Sequence, residues 1–197
     1  MSKLNKDILF LLFEELHDDS KSLFSCLLVN RLWCETVIPI LWGNPWCYED
    51  NINYKKKSSL YHIITFSLSN DIKEFLTSQG IQLFPISHQS PLFDYLSFCK
   101  SINVKVIKNI ISIGSSSTYN QFLLQQEIYS LFMRKFSEIK YLDMRSIEHQ
   151  IFYFPKAKTS LESLCEMKCD TSIDPIYFYG LACICKYIQK FILSIIT

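Results

Sequence analysis

Residues 4–42 read LNKDILFLLFEELHDDSKSLFSCLLVNRLWCETVIPILW. Three short apolar-periodic segments fall within these forty or so residues. Ile8, Leu9, Leu12, Phe13 and Leu16 follow the spacing of one helix face. Asn5 stands where a side-chain oxygen caps free backbone amides, and Asp7 places a negative charge in the first turn, where the helix dipole favours it. The run HDDS breaks the pattern, and Asp19 or Ser20 then caps a second helix carrying Leu23, Phe24, Leu27 and Leu28. Asn30 ends that segment or caps the next. Leu32, Trp33, Val37, Ile38 and Leu41 mark a third, in which Pro39 predicts a stop near Ile38 and a tight turn into Trp42. A unit this small and this apolar completes its burial against something else, which points to binding rather than catalysis.

The order of residues resembles the F-box. Its sub-motifs correspond here to Leu4, Asp7-Ile8-Leu9, Leu12-Phe13-x-x-Leu16, Asp19 to Leu23, Val29-Asn30-Arg31-Leu32-Trp33, and Leu41-Trp42. Asn5 stands where the family has proline, a departure at the helix entry. The resemblance implies docking on the Skp adaptor subunit of a cullin–RING ubiquitin ligase, through Leu4, Asn5, Ile8, Leu9, Leu12, Leu16, Leu23, Val29 and Trp33. The alternative is an ordinary helical core that only caps the rest of the chain.

The 197 residues are 49% hydrophobic and 15% aromatic, enough to bury a sizeable core in one domain or two small ones. The formal net charge is +1, which makes no electrostatic case for nucleic acid as a partner. Lys55, Lys56 and Lys57 form the one dense basic run and read as a solvated loop. The start MSKLNKD lacks the apolar stretch of a signal peptide, so the expected location is cytoplasmic or nuclear and the eight cysteines are expected to be reduced. Cys165, Cys169, Cys183 and Cys185 are spaced C-x3-C and C-x-C, unlike the usual paired C-x2-C of structural zinc, so no metal is expected. His17, His62, His88 and His149 sit in no metal-binding spacing, and no nucleophile elbow, phosphate loop or dinucleotide fingerprint occurs. No catalytic residue and no cofactor is therefore assigned. Residues 177–197 are strongly apolar, but Lys186 and Lys190 interrupt them, and a helix followed by a strand accounts for them better than a membrane span.

The C-terminal part repeats. The template L-x-x-L-x-L-x-x-L/N/C fits Ile139, Leu142, Met144 and Ile147; then Leu164, Met167 and Cys169 with Ser172; then Ile188, Phe191, Leu193 and Ile196. The starts are separated by 25 and 24 residues, inside the leucine-rich-repeat range of about 20–29. Each copy predicts a short strand, with Met167 and Cys169 pointing in and Glu166 and Lys168 out. Ile173, Tyr177, Leu181, Ile184 and Ile188 are spaced for a helix whose first turn holds Pro175. An earlier copy is expected at Phe93, Leu96 and Phe98. Helical patterns fill residues 103–136, separated by a loop of Gly114 and Ser115 to Ser117.

The whole order resembles the F-box/leucine-rich-repeat proteins, in particular an expanded fungal group. The expected fold is mostly α with short parallel strands (α/β): a three-helix F-box over 1–45, a bridging segment over 46–90, and a short irregular leucine-rich-repeat solenoid over 91–197. The array is expected to end without a clear cap. The implied function is a non-catalytic adaptor of a Skp–cullin–F-box ligase whose repeats bind a substrate protein. The alternatives are a repeat-type interaction protein outside ubiquitin chemistry, or a Skp binder without substrate.

Overall fold

The computed structural model describes residues 5–47, 54–84 and 91–195. Leu4 of the docking set and Ile196 of the last repeat lie outside them.

The chain begins with three helices, α1 (Lys6–Glu14), α2 (Ser20–Cys26) and α3 (Arg31–Gly43). Each starts on the predicted side-chain cap: Asn5 accepts from the Asp7 amide, Asp19 from Ser22, and Asn30 from Trp33. Their inner faces close a small core of Leu9, Phe13, Leu23, Val37 and Leu41. The Trp33 ring packs edge-on against Phe13 with centroids 5.1 Å apart. The expected stop at Ile38 is overturned, because α3 continues through Pro39 to Gly43. Pro39 removes one amide donor, but continuing the helix buries Leu41 and seats Trp42 on Tyr95, 4.7 Å between ring centroids.

Within residues 46–90 lie α4 (Tyr54–Phe66) and α5 (Asn70–Ser78), and Leu60, Tyr61, Ile64, Leu68, Leu76 and Ile81 join the main core. Gly80, at φ 79°, ends α5 in the left-handed conformation. Its amide reaches the Thr77 carbonyl and the Ile81 amide reaches that of Leu76, with Ile81 and Leu76 both buried.

The remainder is a parallel sheet in strand order β1 (Ser101–Asn103), β2 (Tyr141–Asp143), β3 (Glu166–Asp170) and β4 (Lys190–Ser194). Between β1 and β2 run α6 (Val104–Ile111) and α7 (Thr118–Lys135). A 3-10 turn (Ile151–Tyr153) and α8 (Ala157–Leu161) lead to β3, and α9 (Pro175–Ala182) leads to β4. The three strands of the 25- and 24-residue copies fall in register, Tyr141 beside Glu166 beside Lys190. Ile102, Leu142, Met167 and Phe191 form one row across the sheet. Met167 and Cys169 point inward, as the alternation predicts.

The strand expected at Phe93–Phe98 is a 3-10 turn (Tyr95–Phe98), and the strand follows at Ser101. Within that turn the Ser97 hydroxyl donates to the Asp94 carbonyl, and only Leu96 of the three template positions is deeply buried. The helix expected over 173–188 ends at Ala182, leaving Ile188 exposed.

The two cores meet at the end of α3. The Lys100 amide donates to the Gly43 carbonyl at 2.9 Å, and the Ser101 hydroxyl donates to the Asn44 side chain at 2.9 Å. The Trp46 indole N–H donates to the Ser101 carbonyl at 2.8 Å.

Candidate docking surface

On α1, Leu9 and Phe13 turn toward α3, with Leu16 just beyond the helix on the same side, while Ile8, Leu11 and Leu12 form a second apolar stripe about 100° around the helix. That stripe is uncovered: Ile8 is 52% exposed, Leu11 63% and Leu12 53%. Leu28 and Val29, in the turn between α2 and α3, are 88% and 55% exposed, and Phe24 on α2 is also open. A helix apolar on both its inner stripe and an outer one is more hydrophobic than its own packing requires.

The structure sorts the eight described residues of the docking set. Asn5, Ile8, Leu12 and Val29 lie on the surface. Leu16 and Trp33 are half-buried at the edge of the small core. Leu9 and Leu23 are fully buried in that core, so they support the surface from beneath and do not form it. Leu11, Phe24 and Leu28 are exposed apolar residues outside the set; the sequence signal for Leu11 was an apolar sector on α1 wider than one face.

Charge around this surface is local. Arg31 donates to Glu35 one turn on, at 2.7 Å, which raises the Arg31 pKa further. The Ser22 hydroxyl and amide hold the Asp19 carboxyl below its usual value. A groove of about 570 Å³ separates α1 from the sheet, with Phe10, Pro39, Ile40 and Phe98 on its walls and Glu14, Lys100 and Glu138 at its rim. Lys100, at 2.9 Å, holds the Glu138 carboxyl below the ordinary carboxylate range.

The open face of the sheet carries a second cleft, of about 400 Å³, lined by Trp46, Asn103, Tyr141, Asp143, Arg145, Glu166 and Lys168. Its charges are matched within the chain. Arg145 grips both oxygens of Asp143, and Glu166 faces Lys168 and Lys190.

The four clustered cysteines do not converge. Cys165 contacts the Ser163 carbonyl, Cys169 that of Ile192 and Cys185 that of Leu161, while Cys183 is exposed. Among the described residues no group of three or more His, Cys, Asp or Glu side chains is placed to hold a metal ion. Burial pushes the Cys185 thiol up to about 11 and raises Cys99 and Cys169 as well, away from the thiolate a nucleophile needs. No helix among the described residues is long and apolar enough to cross a membrane. No protein-family model, curated protein or solved structure matches this chain.

Proposed function

We propose that this chain is a two-surface adaptor of the F-box type. The α1–α3 unit docks on a Skp-like subunit of a cullin–RING ubiquitin ligase, and the cleft on the open face of the sheet takes a substrate protein. The chain itself performs no chemistry in this reading; it raises the local concentration of substrate beside the ubiquitin donor. The observation that carries the proposal is the uncovered stripe of Ile8, Leu11 and Leu12 beside Leu28 and Val29. A three-helix unit that only capped the sheet would have no use for it. The ordered sub-motifs from Asp7 to Trp42 support the same reading.

The capping alternative draws on a different observation. The end of α3 and Trp46 do sit against β1, so the helical unit covers that end of the array. Capping uses the Gly43–Trp46 end and leaves the Ile8 stripe free, so both roles fit one unit.

The test is co-purification with a purified Skp subunit. A stoichiometric complex is expected, lost in Ile8→Asp and in Leu12→Asp, with the far-UV circular dichroism unchanged because both side chains are more than half exposed and lie outside the small core. No complex from the folded wild-type chain, or binding that survives both substitutions, would reject the proposed docking face.

A further inference from the structure

Among the described residues β4 is the outermost strand, and it carries a pairing surface of its own. Backbone groups of alternate residues point to opposite edges of a strand. On β4 the Lys190 amide donates to the Cys165 carbonyl and the Ser194 carbonyl accepts from the Thr171 amide, so the even-numbered residues bond to β3. The amides and carbonyls of Phe191, Leu193 and Ile195 therefore point away from β3. Their side chains lie in the rows of Met167 and Cys169, which are buried under the neighbouring layer. Yet Phe191 is 50% exposed, Leu193 52% and Ile195 75%. An open apolar edge of this kind is a template for another strand.

We propose that β4 pairs with the β4 of a second copy of this chain, antiparallel about a two-fold axis at Leu193. The argument is self-complementarity. Centred there, Leu193 faces its own equivalent, and Phe191 faces Ile195 of the other copy on both sides of the axis. All three are residues whose backbone groups point to the open edge, so the pairs exchange about six N–H···O=C bonds. The two-fold keeps the inner rows of both sheets on one side, and the apolar side chains meet each other.

Charge fits the same arrangement. Residues 183–195 contain Lys186 and Lys190 and no acidic residue. Lys186 is tied to Glu162 and Lys190 to Glu166, both on the β3 side. The stretch 191–195 is uncharged, and the two copies of Lys190 stand roughly 20 Å apart at opposite ends of the ladder. Like charges do not meet.

The far edge of the sheet disfavours the competing arrangement. Head-to-tail stacking would set β4 against β1 of the next copy and build an open fibre. On β1, three residues long, the outward carbonyl of Ser101 is already taken by the Trp46 indole. Pairing of β4 with its own equivalent needs no group of β1 and closes the assembly at two. The pair displays two copies of the α1 stripe.

Light scattering on the full chain at micromolar concentration measures this directly. The expected mass is about twice 23.2 kDa. Leu193→Pro removes an amide that takes no part in bonding to β3, and Leu193→Lys puts like charges on the axis. Both variants are expected to run as monomers with the circular dichroism of the wild type. A wild-type mass of one chain, a ladder of higher masses, or a dimer that survives both substitutions in folded protein overturns the proposal.

Discussion

His149 is buried beneath α7. Its ring stacks on Phe122 at 4.1 Å and lies 5.4 Å from that of Tyr129. Its Nε2 lies 3.1 Å from the Phe122 carbonyl, which can only accept, so Nε2 carries the proton in the neutral ring. Among the described residues the buried Nδ1 has no hydrogen-bond partner, and neither do the Tyr129 hydroxyl and the Gln125 side-chain oxygen on the same face of α7. Burial lowers the His149 pKa from 6.5; Lys108 adds to the lowering, while the Phe122 carbonyl and Glu148 oppose it. The native state thus holds the neutral ring and the unfolded chain takes up a proton first. The contribution to stability is fully present above pH 6.5 and is lost as pH falls from there through the lowered native value. Urea unfolding between about pH 7.5 and pH 5 is expected to give a midpoint that drops on acidification, and His149→Phe, which keeps the stacking, is expected to flatten that slope. Equal slopes in the two proteins would remove His149 from the account. At this scale the local chemistry was legible: Asn5, Asp19 and Asn30 could be read as caps because the bonds they make span two or three residues. The His149 cluster was not, since 20 residues of chain separate its ring from that of Tyr129.

Elements were legible where their apolar period stood alone. The strands beginning at Tyr141, Glu166 and Lys190 each start two residues after a template start, and their register follows the repeat. The Phe93 copy misled because aromatic residues at the right spacing serve a different contact: Phe93 packs edge-on against Tyr95, and Tyr95 against Trp42. Long-range packing, invisible in the spacing, decided that segment. α3 is the same lesson in reverse, since a local breaker yields to tertiary burial. Its Pro39 leaves the Glu35 carbonyl without its helical partner. Pro39→Ala restores that bond while the half-buried ring gives up little contact, so the helical unit is expected to gain about 1–3 kcal/mol. Thermal unfolding followed by tryptophan fluorescence reports it, since Trp33 and Trp42 lie in α3. A loss of stability would mean that the ring's contacts in the groove beside Phe10 and Ile40 outweigh the bond.

On the scale of the whole molecule the buried side chains fall into two clusters. One core spans Leu9 to Leu41, and the other runs from Trp46 to Leu181, taking in α4 and α5. The smaller core rests on five buried side chains and is marginal alone. Its ties to the larger core include the Trp42–Tyr95 contact and the hydrogen bonds from Gly43 to Trp46, at the far end of α3. Leu92 and Phe93 also line a groove with Leu27, Leu28 and Cys34, nearer its start. Leu23 is fully buried at the centre of the small core, and Leu23→Ala costs about 2–5 kcal/mol. That loss is comparable to what so small a unit can hold, so it is expected to open α1 and α2 while the sheet stays closed. The cysteines report the two halves separately. Cys26 and Cys34 are half-buried in the helical unit, whereas Cys99 and Cys169 are buried in the larger core. In Leu23→Ala a thiol reagent is expected to reach Cys26 and Cys34 many times faster than in the wild type, with Cys99 and Cys169 still protected. If all four were exposed together, the two cores would be a single cooperative unit, and the α1 stripe would owe its presentation to the sheet.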